Sequence, residues 1–270
     1  MLQARLYAAA HAMQQRDARA LLAEHPALLQ GRPGDLVLDV GCGPGCVSAG
    51  LLRPAAAGRL VAVDSCPRMV EHARRTYGHQ DIVFEQFDIT EELTPEKRAR
   101  LLPGAADGFH KVFSFYCLHW VQEQRQALRN IMLLLRPGGK ALLVFLANCP
   151  VFTMYEVMSS KSLWRPYTQD FLRFVSPYQY NPQPAATLGK MLRDVGFKVT
   201  HCECRPCSFE YSSTQQLTDS LMAVNPFLNR IPEELKHSFI SDCISEAMKL
   251  MSAKPTGGYE SSFHTDDVTP

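Results

Sequence analysis

Leu36-Val-Leu-Asp-Val-Gly-Cys-Gly-Pro-Gly45 reads as a buried strand that ends in a glycine-rich turn, with a helix opening near Cys46. Glycines at 41, 43 and 45 let the backbone pass close to a ligand and adopt dihedrals that a side chain would forbid. The spacing is not that of the dinucleotide fingerprint, whose third glycine would stand one residue further on. Pro44 also removes a backbone donor that a pyrophosphate would want. A ligand carrying an amino acid and an adenosine, without phosphates, suits this loop better.

Working outward, short β-rich runs alternate with helical stretches. Leu36–Val40, Leu60–Val63, Ile82–Phe87, Lys111–Tyr116 and Lys140–Leu146 are the clearest strands, and a sixth is expected after Gly196 as FKVTHCE. Continuous apolar runs of this kind suit strands covered on both faces, as in a parallel sheet. Helices are expected at Cys46–Leu52, Pro67–Tyr77, Glu123–Leu135 and Ala185–Val195, and Met1–Leu22 carries an amphipathic helical pattern. The alternation predicts an α/β fold with a doubly wound, mostly parallel sheet. Residues 150–184 and 214–252 break the alternation and are rich in aromatics or helix patterns. They are read either as covers over a ligand pocket or as surface insertions packed on the sheet. One domain is expected: an N-terminal helical lid at 1–30, a core at 35–148, and capping insertions at 150–184 and 211–252. The polar tail 256–270 makes a seventh strand doubtful, with Tyr259–Phe263 its one candidate.

Composition sets the outer limits. The 270 residues are 46% apolar and 20% charged, with a formal net charge of +1, so no field of one sign draws in nucleic acid or an anionic membrane. Ala141–Phe152 is too short and too interrupted to span a bilayer, and with no basic-then-apolar leader a cytoplasmic protein is expected. The nine cysteines are read as free thiols. Cys202, Cys204 and Cys207 beside His201 match no standard zinc spacing, so no metal is expected.

Three acids mark the ends of three successive strands. Asp39 precedes the glycine turn, Asp64 closes the second strand, and Asp88 closes the third with Ile89 after it. A carboxylate at position 64 can accept both hydroxyls of a ribose. One at 88 can accept from an adenine amino group while the ring lies on Ile89. This pattern resembles the class I S-adenosylmethionine-dependent methyltransferases over about residues 35–200. The resemblance implies S-adenosylmethionine as cofactor, with Asp39 near its methionine end and Gly41 and Gly43 in the loop that contacts the amino acid moiety. It places Asp64 on the ribose, Asp88 and Ile89 on the adenine, and Phe115 beneath the methionine portion.

A narrower likeness lies in Lys111–Phe152, KVFSFYCLHWVQEQRQALRNIMLLLRPGGKALLVFLANCPVF, which is similar to the juvenile hormone acid O-methyltransferases of arthropods. Leu6-Tyr7, Gln14-Gln-Arg-Asp-Ala18, Phe174-Val-Ser-Pro-Tyr178 and Ala223-Val-Asn-Pro-Phe227 also resemble that family. The resemblance implies methyl-ester formation on a sesquiterpenoid acid, of the farnesoic or juvenile hormone acid type. It implies that Gln14 and Trp120 hold the substrate carboxylate. An amide and an indole N–H are neutral donors that orient a carboxylate and leave a lone pair free to attack. The acid is ionised at neutral pH, so no base is required, and His119 is read as structural or pocket-lining. Tyr155, Phe171, Phe174, Met222, Ala223 and Phe227 are candidate walls for the hydrocarbon. The partner is thus a small lipophilic carboxylic acid, and a homodimer is compatible with the sequence. Rival readings are a methyltransferase of another small apolar acid and a non-catalytic binder of a lipophilic acid.

Overall fold

Alternate residues of the inner strands belong to opposite faces of one sheet, and both faces are apolar. In β1 (Leu36–Val40), Val37 joins the hydrophobic cluster on one face while Leu38 and Val40 join the other. In β2 (Arg59–Asp64), Leu60 and Ala62 divide from Val61 and Val63 in the same way. Burial on both faces is what a continuous apolar run demands, and it is met by helices on each side. A computed structural model of the chain describes residues 4–56, 58–102, 107–252 and 258–265, the last eight as backbone.

The sheet has seven strands in the order β3-β2-β1-β4-β5-β7-β6. The remaining strands are β3 (Ile82–Gln86), β4 (Phe109–Phe115), β5 (Leu135–Leu146), β6 (Glu203–Ser208) and β7 (Gly258–Thr265). β1 through β5 pair in parallel, as the doubly wound reading expects. β7 runs antiparallel between β5 and β6. The polar tail does form the doubtful seventh strand, because backbone pairing on both sides supplies what its side-chain composition does not.

Several boundaries differ from the sequence reading, β5 for one beginning at Leu135 and not at Lys140. The sixth strand is not FKVTHCE but the following Glu203–Ser208. Phe197 is instead buried in the core, and the chain reaches the sheet only beyond it. At that edge the β6–β7 register shifts between Arg205 and Pro206, an irregularity suited to a proline that has no N–H to donate. The N-terminal pattern is two helices, Ala4–Ala10 and Ala12–Glu24, broken at His11.

The stretches that broke the alternation are largely helical and lie over one face of the sheet. Helices Pro150–Ser160 and Glu233–Ser252 pack together. Trp164 is buried, donates from Nε1 to Asp242 (2.7 Å) and meets the Phe239 ring edge to face at 5.2 Å. Helix Thr214–Val224 begins at Ser213, whose hydroxyl accepts from Gln216 N–H (3.1 Å) while Gln216 Oε1 accepts from Ser212 N–H (2.6 Å). That reciprocal cap meets donors which the first helical turn cannot satisfy itself. Among the described residues no helix is long and apolar enough to cross a membrane.

On the other face, Asn130 of helix Gln124–Leu134 ties the chain after β3 to the core. Its Nδ2 donates to the carbonyls of Ile89 and Glu91, both at 2.7 Å, and the residue is buried. Asn130→Ala would leave these acceptors without their donor, a loss of about 2–3 kcal/mol. A fall in Tm of roughly 4–10 °C is expected in a calorimetric scan; an unchanged Tm would show that the segment is held elsewhere.

Candidate active site

β1 and β4 are neighbours, yet the chain leaves β1 for β2 on one side and β4 for β5 on the other. Open α/β sheets place ligands in the crevice at such a switch point. Here the glycine turn leaves β1 directly beside the turn that leaves β4. Gly41 and Cys42 both donate their N–H to the carbonyl of Val63 (2.8 and 2.9 Å), which curls the loop over the end of β2. Gly41 has φ +78°, and a Cβ there would lie 2.2 Å from Cys117 Cβ and Sγ. Gly43, at φ +54°, faces open space, with the Tyr7 ring 3.9 Å from where its Cβ would be.

A cavity of about 530 Å³ opens over this loop and brings together Gly41, Gly43, Asp64, Asp88 and Ile89. Asp64 accepts from Gly43 N–H (2.9 Å) and Cys66 N–H (2.8 Å), so loop and strand end are cross-braced. Burial pushes the Asp64 carboxyl above its ordinary range and the Asp88 charge adds to this, while the two N–H bonds oppose it. Asp88 Oδ1 accepts from the backbone and hydroxyl of Thr90 (2.9 and 2.8 Å).

Two residues expected at the cofactor lie behind the cavity wall. Asp39 is buried beneath the loop and accepts from Ser48 Oγ (2.6 Å), anchoring the helix that follows. Phe115 points into the core and stacks on Phe113 at 6.2 Å. The cavity wall at the end of β4 is formed instead by Tyr116 and Cys117. Tyr116 takes φ +56°, a conformation rare for a bulky residue, which turns the chain there.

A second, narrower cavity of about 60 Å³ adjoins the first. Gln14 and Trp120 both line it, with Tyr7, Met13, Phe152 and Leu221 among the apolar and aromatic walls. Gln14 Oε1 is buried without a hydrogen-bond partner; amide O and N are assigned from networks, so either end of this amide can face a ligand. Trp120 ends a short 3-10 turn, Leu118–Trp120, whose neighbouring carbonyls at 118 and 121 are held by Gln124 Nε2 (2.6 and 2.7 Å). Its ring meets Phe152 edge to face at 5.9 Å. His119 is buried, accepts the Leu146 N–H at Nδ1 (3.4 Å), and is pushed down to about 3 by burial, so it is neutral. Of the expected hydrocarbon walls, Ala223 lines this cavity and Phe174 the first. Tyr155, Met222 and Phe227 are buried behind them, and Phe171 packs on the core.

The sequence reading missed the tie that holds the N-terminal helix over the site. The Tyr116 hydroxyl donates to Asp17, one helical turn beyond Gln14. Asp17 also accepts from Arg16 Nε (2.7 Å) and has the Cys207 thiol at 3.6 Å. Burial raises the Tyr116 hydroxyl well above its ordinary value, so it remains a donor.

Known proteins resemble this chain in sequence and fold. Residues 10–202 match the family described as a methyltransferase domain. The juvenile hormone acid O-methyltransferase of Drosophila melanogaster is 38% identical over 256 residues, spanning 93% of this chain and 84% of that one. The Bombyx mori protein of the same name is 35% identical over 253 residues, spanning 93% and 87%. A solved structure of phosphoethanolamine N-methyltransferase 2 from Haemonchus contortus superposes with a TM-score of 0.53 at 15% identity, covering 94% of this chain and 53% of that one. At that identity the likeness is one of fold.

The buried Asp39 gives a test by pH. Burial lifts its carboxyl to about 7, against about 3.9 in an unfolded chain. Between these values the folded state holds more protons than the unfolded one, so this group's contribution to stability falls as pH rises from about 4 to about 7. Asp39→Asn removes the titration, and a shallower dependence of Tm on pH over that window is expected. Parallel profiles for parent and variant would show that Asp39 is ionised in the folded protein throughout.

Proposed function

Because the chain belongs to the methyltransferase domain family, and within it to the juvenile hormone acid O-methyltransferases, we propose that it esterifies a sesquiterpenoid carboxylic acid with S-adenosylmethionine as methyl donor. The acid is of the farnesoic or juvenile hormone acid type. One observation carries this reading: Trp120, with Tyr7, Tyr116 and Val224, borders both the glycine-loop cavity and the apolar slot. A donor in the first and an acid in the second would meet at Trp120.

The residues present fit the cofactor. Gly43 lines the cavity without a side chain, and the Tyr7 ring, 3.9 Å from where its Cβ would be, is its near neighbour there. Asp64 and Asp88 offer carboxylate acceptors on the cavity wall, with Ile89 as an apolar surface beside them. Gly41 and Gly43 are assigned to the amino acid moiety, Asp64 to the ribose hydroxyls, and Asp88 with Ile89 to the adenine. When bound, S-adenosylmethionine supplies a methyl group on a positive sulfonium. Asp39 and Phe115 act from behind the wall, the first by fixing the helix after the loop.

The remaining chemistry belongs to the chain. Gln14 and Trp120 hold the substrate carboxylate by neutral N–H donors; for Gln14 this takes the flipped amide, with Nε2 where the unpartnered Oε1 now stands. Phe152, Val151 and Leu221 keep water out of the slot, so a carboxylate nucleophile there is poorly solvated. The slot measures about 60 Å³, and helices Ala4–Ala10 and Thr214–Val224, which pack on each other, both contribute to its lining. Ser220 Oγ bonds the Ala10 carbonyl across that seam at 3.4 Å. Residues 4–30 and 211–252 thus work as covers, with catalysis resting on in-line positioning and exclusion of water.

The test is methyl transfer by the purified chain from labelled S-adenosylmethionine to farnesoic acid and, in parallel, to medium-chain fatty acids. Farnesoate ester as the preferred product is expected; a preference for the straight chains would assign another apolar acid, and cofactor binding with no ester from any acid would indicate a binder. Trp120→Phe keeps the ring and loses the donor. A fall in turnover of about tenfold or more is expected, with cofactor affinity within twofold of the parent; full turnover on every acid would remove Trp120 from the mechanism.

A further inference from the structure

His119 stands between Tyr116 and Trp120 and lines the slot with Gln14. Its ring is fixed on three sides: Trp120 at 4.9 Å between centroids, Phe152 at 5.9 Å, and the edge of Tyr116 at 6.2 Å. The Leu146 N–H donates to Nδ1 at 3.4 Å. A neutral imidazole that accepts at Nδ1 carries its proton on Nε2. Among the described residues no acceptor is bonded to Nε2.

We propose that His119 is a third donor to the substrate carboxylate, through Nε2–H, and so a determinant of acid over alcohol or ester in this slot. The inference rests on the assignment of a carboxylic acid to this cavity. His119 has no capacity to act as a base there: its Nδ1 lone pair is taken by Leu146 and its Nε2 already bears the proton. No proton moves in the step. A carboxylate presents about four lone-pair directions. Donors from Gln14, Trp120 and His119 fill three and leave one, on the oxygen that forms the new bond to carbon. Burial keeps the ring neutral, so the third donor adds orientation without an ion pair that would restrain the nucleophile.

Two substitutions separate the halves of the ring. The amide oxygen of His119→Asn can stand near the Nδ1 position, keeping the Leu146 bond and withdrawing the donor. The amide nitrogen of His119→Gln can reach the Nε2 position and restore it. Binding of farnesoic acid and of farnesol to the cofactor-loaded full chain, measured by calorimetry, is the readout. For His119→Asn, a loss of about tenfold in affinity for the acid is expected, with farnesol within twofold of the parent. His119→Gln should recover most of the acid affinity.

A structural role would weaken both ligands alike; equal losses on acid and alcohol, or no loss on either, would overturn the proposal. If the Asn variant fails to fold, the parent itself gives the answer through 15N-histidine NMR. A buried Nε2–H tautomer whose proton resonance moves on adding the acid, and not on adding farnesol, supports the assignment; an Nδ1–H tautomer rejects it. A parent that binds neither ligand and forms no farnesoate ester shows that the substrate reading has failed, and the role of His119 falls with it.

Discussion

The close approach of Gly41 to Cys117 is the contact on which both halves of the site depend. β1 and β4 lie side by side but send the chain in opposite directions, so the two turns that leave them must share one small volume. They can share it because position 41 has no side chain, a Cβ there falling 2.2 Å from Cys117. The close fit lets the glycine turn continue to Asp64 on one side while the turn after β4 delivers His119 and Trp120 on the other. Were the two turns pushed apart by the width of a methyl group, Trp120 would no longer border both cavities. The requirement for glycine here is therefore steric as well as conformational.

A second constraint is stored in Tyr116. Holding a tyrosine at φ +56° costs about 1–2 kcal/mol relative to an ordinary strand conformation. The neighbourhood offsets it: the Tyr116 N–H still bonds the Val144 carbonyl at 2.7 Å, and the hydroxyl reaches Asp17 on a distant helix. Arg16, Asp17, Tyr116 and Cys207 then meet at one point, joining the N-terminal helix, the end of β4 and the edge strand β6. Gln14 is on the helix so fixed, one turn away. The strain is thus linked to position: the conformation that turns the chain away from Phe115 is also the one that lets Tyr116 fasten the helix carrying Gln14.

Much of this was legible in the sequence, for reasons that differ element by element. β1 to β5 announce themselves because a strand covered on both faces has to be apolar throughout, and Gly41, Gly43, Asp64 and Asp88 stand at strand ends, where position follows from the element boundary. β6 is less legible because FKVTHCE has the strand composition, while the sheet edge that β6 occupies tolerates the partly exposed, proline-containing ECRPCS. β7 was obscured for the opposite reason: its pairing is made by backbone on both sides, which side-chain composition does not record. Asp39 and Phe115 stand behind the cavity wall by a matter of facing. Asp39 precedes the last strand residue, and alternation turns it toward the helix at Ser48. Phe115 precedes the reversal at Tyr116, and nothing in the sequence FSFYCLHW marks where a backbone will enter the left-handed region. The tie between Asp17 and Tyr116 spans 99 residues of chain and carries no local signature at all.

The character of the slot also bears on how an ester can form in it. The residues that line it include no lysine, arginine, aspartate or glutamate among those described, though Gln14, Trp120 and His119 all carry N–H groups. A guanidinium would hold a carboxylate more strongly than these, but the gain would fall on the ground state. As the oxygen forms its bond to carbon its negative charge disappears, and so would the attraction to the cation. An interaction stronger in the ground state than in the transition state slows the chemical step. Neutral donors lose much less as the charge is consumed, and on the proposed reading they would still fix which oxygen faces the glycine-loop cavity. Affinity that a cation would have provided has to come from elsewhere, and the apolar walls are suited to supply it: each methylene of an isoprenoid chain removed from water contributes roughly 0.8 kcal/mol, the same at the start of the reaction as at its end. With the proposed acid in place, a slot built of hydrocarbon and neutral donors would therefore separate binding from chemistry, the chain held by its tail and the carboxylate left free to react.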